Sequence, residues 1–550
     1  MKINTDNNKV YKLIFIVLIV IQVGIIVFYG TRRENLYWDE YFSFETINYY
    51  YDWAGDEHYI VDDVNFKFNK WLNNDWAYET IVVDEKDTIT NKTFWYVGRK
   101  PFLITPYFAF LNVLQGIFTV GRISIWPAIC VNIVFFVLAQ IVLNSIANKV
   151  TESKEMSLIC NAIYGFASLT ISMGIFVRAY MWVTFAITFV LWCHLKHWEE
   201  ESIGKTILYE LLALFFTYEA YLDAQFTIVW YAILFVVYSV ALALTKQYKK
   251  ICLYSLPSAV VGIVYIFCFS SYIDVLMNLR DVLALGGTTA MSAMLNYVYQ
   301  MRPIDIVKRP IDMFVTTSNR MFGSWMVVLL GIILFGLGIL KNLNRKKHEC
   351  EKKEVYYDSH IKKFGIVILF TSLFCSIFST YMCLYVTTRY ISYFFPQFAL
   401  AIVLVSMKLW KSRNNRVLYV GFVAVVSVGF IISLLTSQVD FIYKGDAKAI
   451  RDIRLDECKN YMTFYPRGMS DPNDTYELIY IAGQGNNAEI YACNLEEPVI
   501  EELRDEMIVS INSGYEPDVD RLELFLTENG YKYELMDRTY RHYYYKATKM

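Results

Sequence analysis

Residues 13–30 read LIFIVLIVIQVGIIVFYG. An apolar run of this length matches the roughly 20 residues that an α-helix needs to cross a bilayer core. Lys9 and Lys12 precede it and no small-residue cleavage site follows, so it reads as a retained signal anchor. Working outward, further apolar runs lie at roughly 124–147, 157–176, 179–195, 206–222, 224–245, 250–272, 322–340, 364–386, 391–408 and 417–438. These make about eleven candidate spans, and eleven to thirteen transmembrane helices is the expected range. Inside lipid each span must satisfy its own backbone hydrogen bonds, and barrel-type alternation is absent, so the expected form is helical. The predicted fold is therefore a polytopic α-helical membrane protein.

Composition agrees. Of 550 residues 56% are apolar, 17% aromatic and only 19% charged, against roughly 25% charged in soluble domains. That excludes an ordinary soluble enzyme, a disordered chain and a secreted disulfide scaffold. With 51 basic and 53 acidic residues the net charge is −2, so no nucleic acid partner is indicated. Ten cysteines form no C-x-x-C pair. Cys130, Cys160, Cys193, Cys252, Cys268, Cys375 and Cys383 fall in apolar runs and read as small hydrophobes. Cys458 and Cys493 share a polar region and could pair if it faces an oxidising compartment.

Basic loops orient such a chain. The strongest is 341–363, followed by 408–416 and 246–250. Placing these in the cytoplasm puts the N-terminus inside and segments 31–101, 273–321 and 439–550 outside. Residues 102–120 break the alternation and are expected to dip into the bilayer without crossing. Two domains follow: 1–440 is the membrane module, whose first extracytoplasmic loop is 31–101, and 441–550 is a small extracytoplasmic α/β domain. The latter combines charged helices expected near 446–460 and 496–510 with strand-like runs YELIYIAG, AEIYACNL and RTYRHYYYKATKM.

Polar groups near membrane depth are costly and are functional candidates by default. Asp39 and Glu40 stand among aromatics in ENLYWDEYFSFETIN, just past the first span. Partial desolvation there would raise a carboxylate toward useful base strength; the plain alternative is a solvated acidic loop. Arg178 in GIFVRAYMWV and Arg389-Tyr390 in VTTRYISYFFPQFALAI lie at the ends of other runs, where snorkelling is the ordinary alternative. Tyr218, Glu219 and Asp223 occupy a hairpin tip, FFTYEAYLDAQF, which a hydrated turn would also explain. Carboxylates with arginines at one lipid interface suit a phosphate-linked substrate held by its lipid tail. Arginine matches phosphate oxygens in a fork, and a carboxylate accepts the proton of an attacking hydroxyl or amine.

The order of these motifs resembles the GT-C glycosyltransferases, in particular the bacterial family-39-like group of protein O-mannosyltransferases and lipid A aminoarabinose transferases. The resemblance spans about residues 10–440 and rests on Tyr37-Trp38-Asp39-Glu40-Tyr41, Gly121-Arg122…Pro127, Val177-Arg178-Ala179-Tyr180 and Arg389-Tyr390…Pro396. It implies a polyprenyl-phosphate-linked sugar as donor and a glycan, lipid or protein as acceptor. It also implies a bacterial plasma (inner) membrane setting, within the cell envelope, and a site open to the outside. Carried over residue by residue, Asp39 becomes the base with Glu40 beside it, Arg178 and Arg389 the donor phosphate ligands, and Tyr390 a supporting contact. Relatives carry a histidine-containing stretch where this chain has Arg99-Lys100-Pro101, so Arg99 or Lys100 would supply a charge there. A divalent ion could assist at Asp39-Glu40, but no ligand spacing specifies a metal or other cofactor.

Direct displacement of the phosphate would invert the sugar carbon. Two other classes compete: a lipid-linked sugar transporter or flippase, which predicts internal pseudo-repeats and charges near the bilayer midplane, and a non-catalytic scaffold whose 441–550 domain binds the cell surface. No pseudo-repeat is visible, and the stretch Val420–Leu435 carries no charge.

Overall fold

The structure is a computed structural model. It describes residues 3–33, 36, 38–47, 71–73, 82, 105–122, 124–224, 226–268, 301–346, 360–382, 388–410, 416–435, 439–440, 449, 452–453, 458–465, 488–494, 503–512, 516–539 and 542–550. The chain forms two compact units. One comprises Met1–Val27, Asn132–Gly174 and Ala179–Asp440; the other comprises Phe28–Val131, Ile175–Arg178 and Phe441–Met550. A division at 440 was expected, but the second unit also takes in Phe28–Val131, which runs well past the first loop, and the four residues Ile175–Arg178 from between two helices.

Among the described residues, each apolar run of the sequence carries helix. The helices are α1 (Ile3–Gly30), α2 (Trp38–Ile47), α3 (Pro106–Phe118), α4 (Trp126–Thr151), α5 (Lys154–Gly165), α6 (Ser168–Ile175), α7 (Tyr180–Glu199) and α8 (Ile203–Asp223). Then come α9 (Phe226–Leu244), α10 (Tyr248–Cys268), α11 (Pro303–Phe322), α12 (Trp325–Lys346), α13 (His360–Met382), a 3-10 helix (Thr388–Phe394), α14 (Phe395–Trp410) and α15 (Arg416–Leu435). Among the described residues, five stretches are long and apolar enough to cross a membrane: Asn8–Gly30, Trp126–Thr151, Phe226–Leu244, Lys363–Tyr381 and Arg389–Met407. Two helix pairs qualify as single spans but are bent, α5 with α6 by 59° and α11 with α12 by 91°. Helices α7, α8 and α10 lie where spans were expected but carry His194, His197, Glu210 and Lys250 on buried surface. Such groups are tolerated where a helix faces protein rather than lipid. At 13 residues α3 is about 20 Å long, too short for a ~30 Å hydrocarbon core.

Side-chain amides hold the first unit together where lipid offers no hydrogen bonds. Gln140 Nε2 donates to Gln22 Oε1 (2.8 Å), Gln22 Nε2 to the Asn161 carbonyl (3.1 Å), and Asn144 Nδ2 to Asn161 Oδ1 (2.8 Å). Tyr11 donates to Asn144 Oδ1 at 2.6 Å, so α1, α4 and α5 are joined along their length. A second buried network joins α7 to α10. His194 Nε2 lies 3.0 Å from Tyr254 Oη and His197 Nδ1 lies 2.7 Å from Tyr238 Oη. Glu210 Oε1 accepts from Tyr231 Oη and Ser258 Oγ, both at 2.8 Å.

The second unit holds a six-stranded mixed sheet of order β1-β3-β2-β4-β6-β5. Its strands are β1 (Trp71–Asn73), β2 (Asn460–Tyr465), β3 (Glu489–Asn494), β4 (Glu506–Asn512), β5 (Tyr531–Arg538) and β6 (His542–Lys549). The central strands β3, β2 and β4 are parallel, and β6, β5 and β1 are antiparallel to their neighbours. Helix α16 (Glu516–Glu528) covers one face, sending Leu522, Phe525 and Leu526 onto Met507, Val509 and Ile511 of β4. That spacing is i, i+3, i+4 on the helix against period two on the strand. The α/β character matches expectation, but residues 506–512 form strand β4 where a helix over 496–510 was expected. The alternation Met507-Val509-Ile511 outweighs the acidic helix-formers before it. The run AEIYACNL contributes β3 and the C-terminal run β6, while β5 lies almost wholly before that run and was not expected. YELIYIAG and most of 446–460 lie outside the described residues.

Strand β1 comes from the first loop rather than from 441–550. Trp71 pairs with Tyr491 of β3, the rings lie 5.1 Å apart, and Trp71 is part of the sheet's buried core. Cys458 and Cys493 are not paired with each other: Cys493 lies within that core, and Cys458 is hydrogen-bonded to the Glu506 carbonyl.

Candidate functional site

The site is built on α2. Two acids in its first turn, Asp39 and Glu40, suit the positive end of the helix dipole. Glu40, Ser43, Phe44 and Ile47, spaced i, i+3, i+4, i+7, are buried along one face. The far end is closed by α3, where Asn112 Nδ2 donates to the Ile47 carbonyl at 2.9 Å.

Glu40 is fully buried and committed. Arg33 grips it with both ends of its guanidinium: Nη1 donates to Oε1 at 2.7 Å and Nη2 to Oε2, with neither side chain exposed. Oε1 also accepts the backbone N–H of Val177 at 2.6 Å. One turn along α2, Ser43 Oγ donates to the Val177 carbonyl at 2.7 Å. Both polar groups of one peptide residue are thus held by two side chains of α2. Arg33 Nη1 donates as well to the Ile175 carbonyl, so α2 and Arg33 together hold the segment 175–178 by its backbone. A tight turn completes it, with the Arg178 N–H reaching the Phe176 carbonyl at 2.8 Å.

This bracket fixes two of the candidates named from sequence. Asp39 precedes Glu40 on α2, and Arg178, partly buried, follows Val177. A carboxylate and a guanidinium distant in sequence are therefore carried by the immediate neighbours of two hydrogen-bonded residues. Both Glu40 oxygens already accept, so the acid pair does not offer two open carboxylates to a divalent ion. Among the described residues no three His, Cys, Asp or Glu side chains gather as a metal site.

The remaining candidates distribute differently. Arg389 and Tyr390 belong to the other unit, on the 3-10 helix. Arg389 Nη2 donates to Tyr390 Oη at 3.2 Å, and its guanidinium lies 5.1 Å from the Tyr390 ring centre, a cation–π arrangement. The Tyr390 ring lies 6.1 Å from Phe226, the first residue of α9. Tyr218, Glu219 and Asp223, on the last turns of α8, are partly buried and sit across the α8–α9 turn from Phe226. In the second unit, Arg122 is exposed beside Gly121, whose φ is +69°. Arg99 and Lys100 lie outside the described residues.

Sequence reading missed Arg33 and Ser43. The signal for Arg33 was present: an arginine pair, Arg32-Arg33, closes the first span at the end opposite Lys9 and Lys12. Loop statistics disfavour basic residues there, and a buried acid nearby is the physical reason to keep one.

No family model and no curated protein matches the chain. Among solved structures, it is similar to ArnT from Cupriavidus metallidurans bound to undecaprenyl phosphate, with 11% identity over 80% of this chain and 87% of that one, at a TM-score of 0.45. ArnT from the same organism in the apo state is 13% identical over 81% of this chain and 88% of that one, at a TM-score of 0.34. The likeness assigns no residue a role.

Proposed function

We propose that the chain is a membrane glycosyltransferase that moves a sugar from a polyprenyl-phosphate-linked donor to an acceptor hydroxyl or amine, with inversion at the sugar carbon. The observation that carries this reading is the α2 bracket, which ties the turn bearing Asp39 to the residue before Arg178. In this proposal Asp39 is the base. Glu40, with both oxygens committed, acts as a positioning residue that keeps Asp39 and Arg178 in register. Arg178 offsets the charge that gathers on the departing phosphate, an electrostatic effect worth several kcal/mol of barrier. Arg389, with Tyr390 stacked beside it, is the second candidate phosphate ligand. The site would face the outside of the plasma membrane.

The test is transfer in membranes containing a polyprenyl-phosphate sugar. Asp39→Asn is expected to lower the rate by about 10²–10⁴-fold at unchanged protein level, and Arg178→Ala and Arg389→Ala to lower it as well. Undiminished transfer by Asp39→Asn removes the proposed base.

One observation favours a second reading, a lipid-linked sugar transporter. Glu210, His194 and His197 are buried together in the bundle of the first unit, and intramembrane ionisable groups mark substrate or proton paths in transporters. Glu210→Gln would then abolish lipid translocation in proteoliposomes, and sugar transfer would be absent from wild type as well.

A further inference from the structure

Helix α11 meets α12 at a right angle, 91°, and the corner is chemically defined. Gly323 closes α11 at φ +74°, in the left-handed region where a side chain would be strained, and its N–H bonds the Asn319 carbonyl at 2.9 Å. The Asn319 side chain then accepts the N–H of Trp325, the first residue of α12, at 2.7 Å. Over its 22 residues α12 extends about 33 Å, enough to cross a hydrocarbon core. A helix at a right angle to a crossing helix lies in the membrane plane.

The faces of α11 fit that placement. One is bound to the bundle. Arg309, buried, donates to the Thr380 and Tyr381 carbonyls at the end of α13 (3.3 and 3.4 Å). Pro310 lacks the N–H that would bond the Ile306 carbonyl, and Tyr381 Oη donates to that carbonyl instead at 3.1 Å. At the far end Arg320 pairs with Asp440 at 2.8 Å. A second edge is apolar and bare: Ile304, Val307, Ile311 and Phe314, spaced i, i+3, i+7, i+10, are 41–64% exposed. The adjoining edge carries Asp305, Lys308 and Asp312.

We infer that α11 is a membrane-seated helix lying in the headgroup–acyl boundary, its Ile304–Val307–Ile311–Phe314 edge inserted among phospholipid acyl chains and its charged edge in water. The occupant of the apolar edge is the bilayer, because α12, which leaves the corner at a right angle and is long enough to cross a hydrocarbon core, also bares apolar side chains (Met326, Leu329, Leu330, Ile333). In-plane helices of this kind bury their apolar face roughly 5–10 Å into that boundary. Because Arg309 and Tyr381 bolt α11 to the end of α13, next in sequence to the Arg389 segment, the seat sets the depth of that segment.

A photoreactive benzoylphenylalanine placed at position 311 or 312 of the full chain distinguishes the occupants. The protein is irradiated in vesicles of phosphatidylethanolamine and phosphatidylglycerol, and adducts are read by mass spectrometry. Position 311 is expected to give severalfold more phospholipid adduct than position 312. Position 307 serves as a second apolar site if the 311 variant does not accumulate. Protein–protein adducts at 311, as a second copy on this edge would give, overturn the inference. So does equal lipid labelling at 311 and 312, or a reduced, solvent-quenched probe at 311. None of these readings depends on sugar transfer.

Discussion

Glu40 accepts the backbone N–H of Val177, 137 residues along the chain, at 2.6 Å. Nothing in local sequence preference requires this contact. It exists because α2 buries a carboxylate that Arg33 neutralises, and because the segment 175–178, lying between two helices, has backbone groups that no helix satisfies. Hydrogen bonds to a charged group are worth more than neutral ones, and leaving such a group unpaired in the interior is expensive. The bracket is thus both a structural need and a device for alignment.

The Arg33–Glu40 pair is fully buried, so removing one partner should cost more than removing both. Arg33→Ala strands a carboxylate and is expected to destabilise the protein by about 3–5 kcal/mol. In the double variant Arg33→Ala/Glu40→Gln the orphan charge is gone, and much of that loss should return. Thermal melts in detergent measure both. Strictly additive losses would mean that the two side chains do not act as a pair. Sugar transfer should stay low in the double variant even as stability recovers, since a neutral amide at position 40 no longer anchors Val177 through a charged acceptor.

How much of this was legible beforehand depends on the range of the interaction. The helices of the apolar runs follow from hydropathy, which is local, whereas α2 and α11 lie in stretches read as outer segments, because a short or amphipathic helix leaves no continuous apolar run. Asp39 and Arg178 were singled out because charge beside an apolar run is locally conspicuous. Arg33 was not, because its reason for being buried is Glu40, and that pairing is a fact of packing. Strand β1 was invisible for the same reason: Trp71-Leu72-Asn73 becomes a strand only by pairing with β3. The helix expected over 496–510 failed where acidic composition and period-two alternation competed within one short stretch, and the sheet decided in favour of alternation.

The Trp71–β3 contact predicts that the 441–550 domain depends on the first loop. Trp71 stacks at 5.1 Å on Tyr491 and lies under the Arg504 guanidinium, 5.3 Å from its ring centre. Trp71→Ala should cost about 3–5 kcal/mol, as large-to-small core changes do, and Trp71→Phe considerably less. Limited proteolysis reads this directly, with faster cleavage within 441–550 for the alanine variant. Unchanged cleavage would show that the sheet core is complete without the loop.

The amide network of α1, α4 and α5 can be tested at a glycine. A Cβ on Gly165 would stand 2.3 Å from Gln22 Cδ and 2.4 Å from Gln140 Nε2, so Gly165→Ala must displace the two side chains that bond Asn161. Asn161→Ala removes the shared side chain without the clash and should cost on the order of 1 kcal/mol, the scale of interhelical polar contacts in bilayers. Gly165→Ala is expected to lower the melting temperature further than Asn161→Ala. The reverse order would mean that the helices part easily and that the amides matter little.

The sheet core also sets a pH response. Burial pushes the Cys493 thiol up to about 12, whereas an unfolded cysteine ionises near about 8.5. The native state therefore holds its proton over a range in which the unfolded chain releases it. The stability contributed is complete below about 8.5 and is lost as pH climbs toward about 12. Two measurements follow. Iodoacetamide, which needs the thiolate, should leave Cys493 unmodified in folded protein at pH 8 and alkylate it after denaturation. Cys493→Ala should be less stable than wild type at pH 7.5 because of the cavity, yet lose less stability than wild type between pH 7.5 and 10. Parallel losses in the two proteins would place the titrating group elsewhere in the sheet.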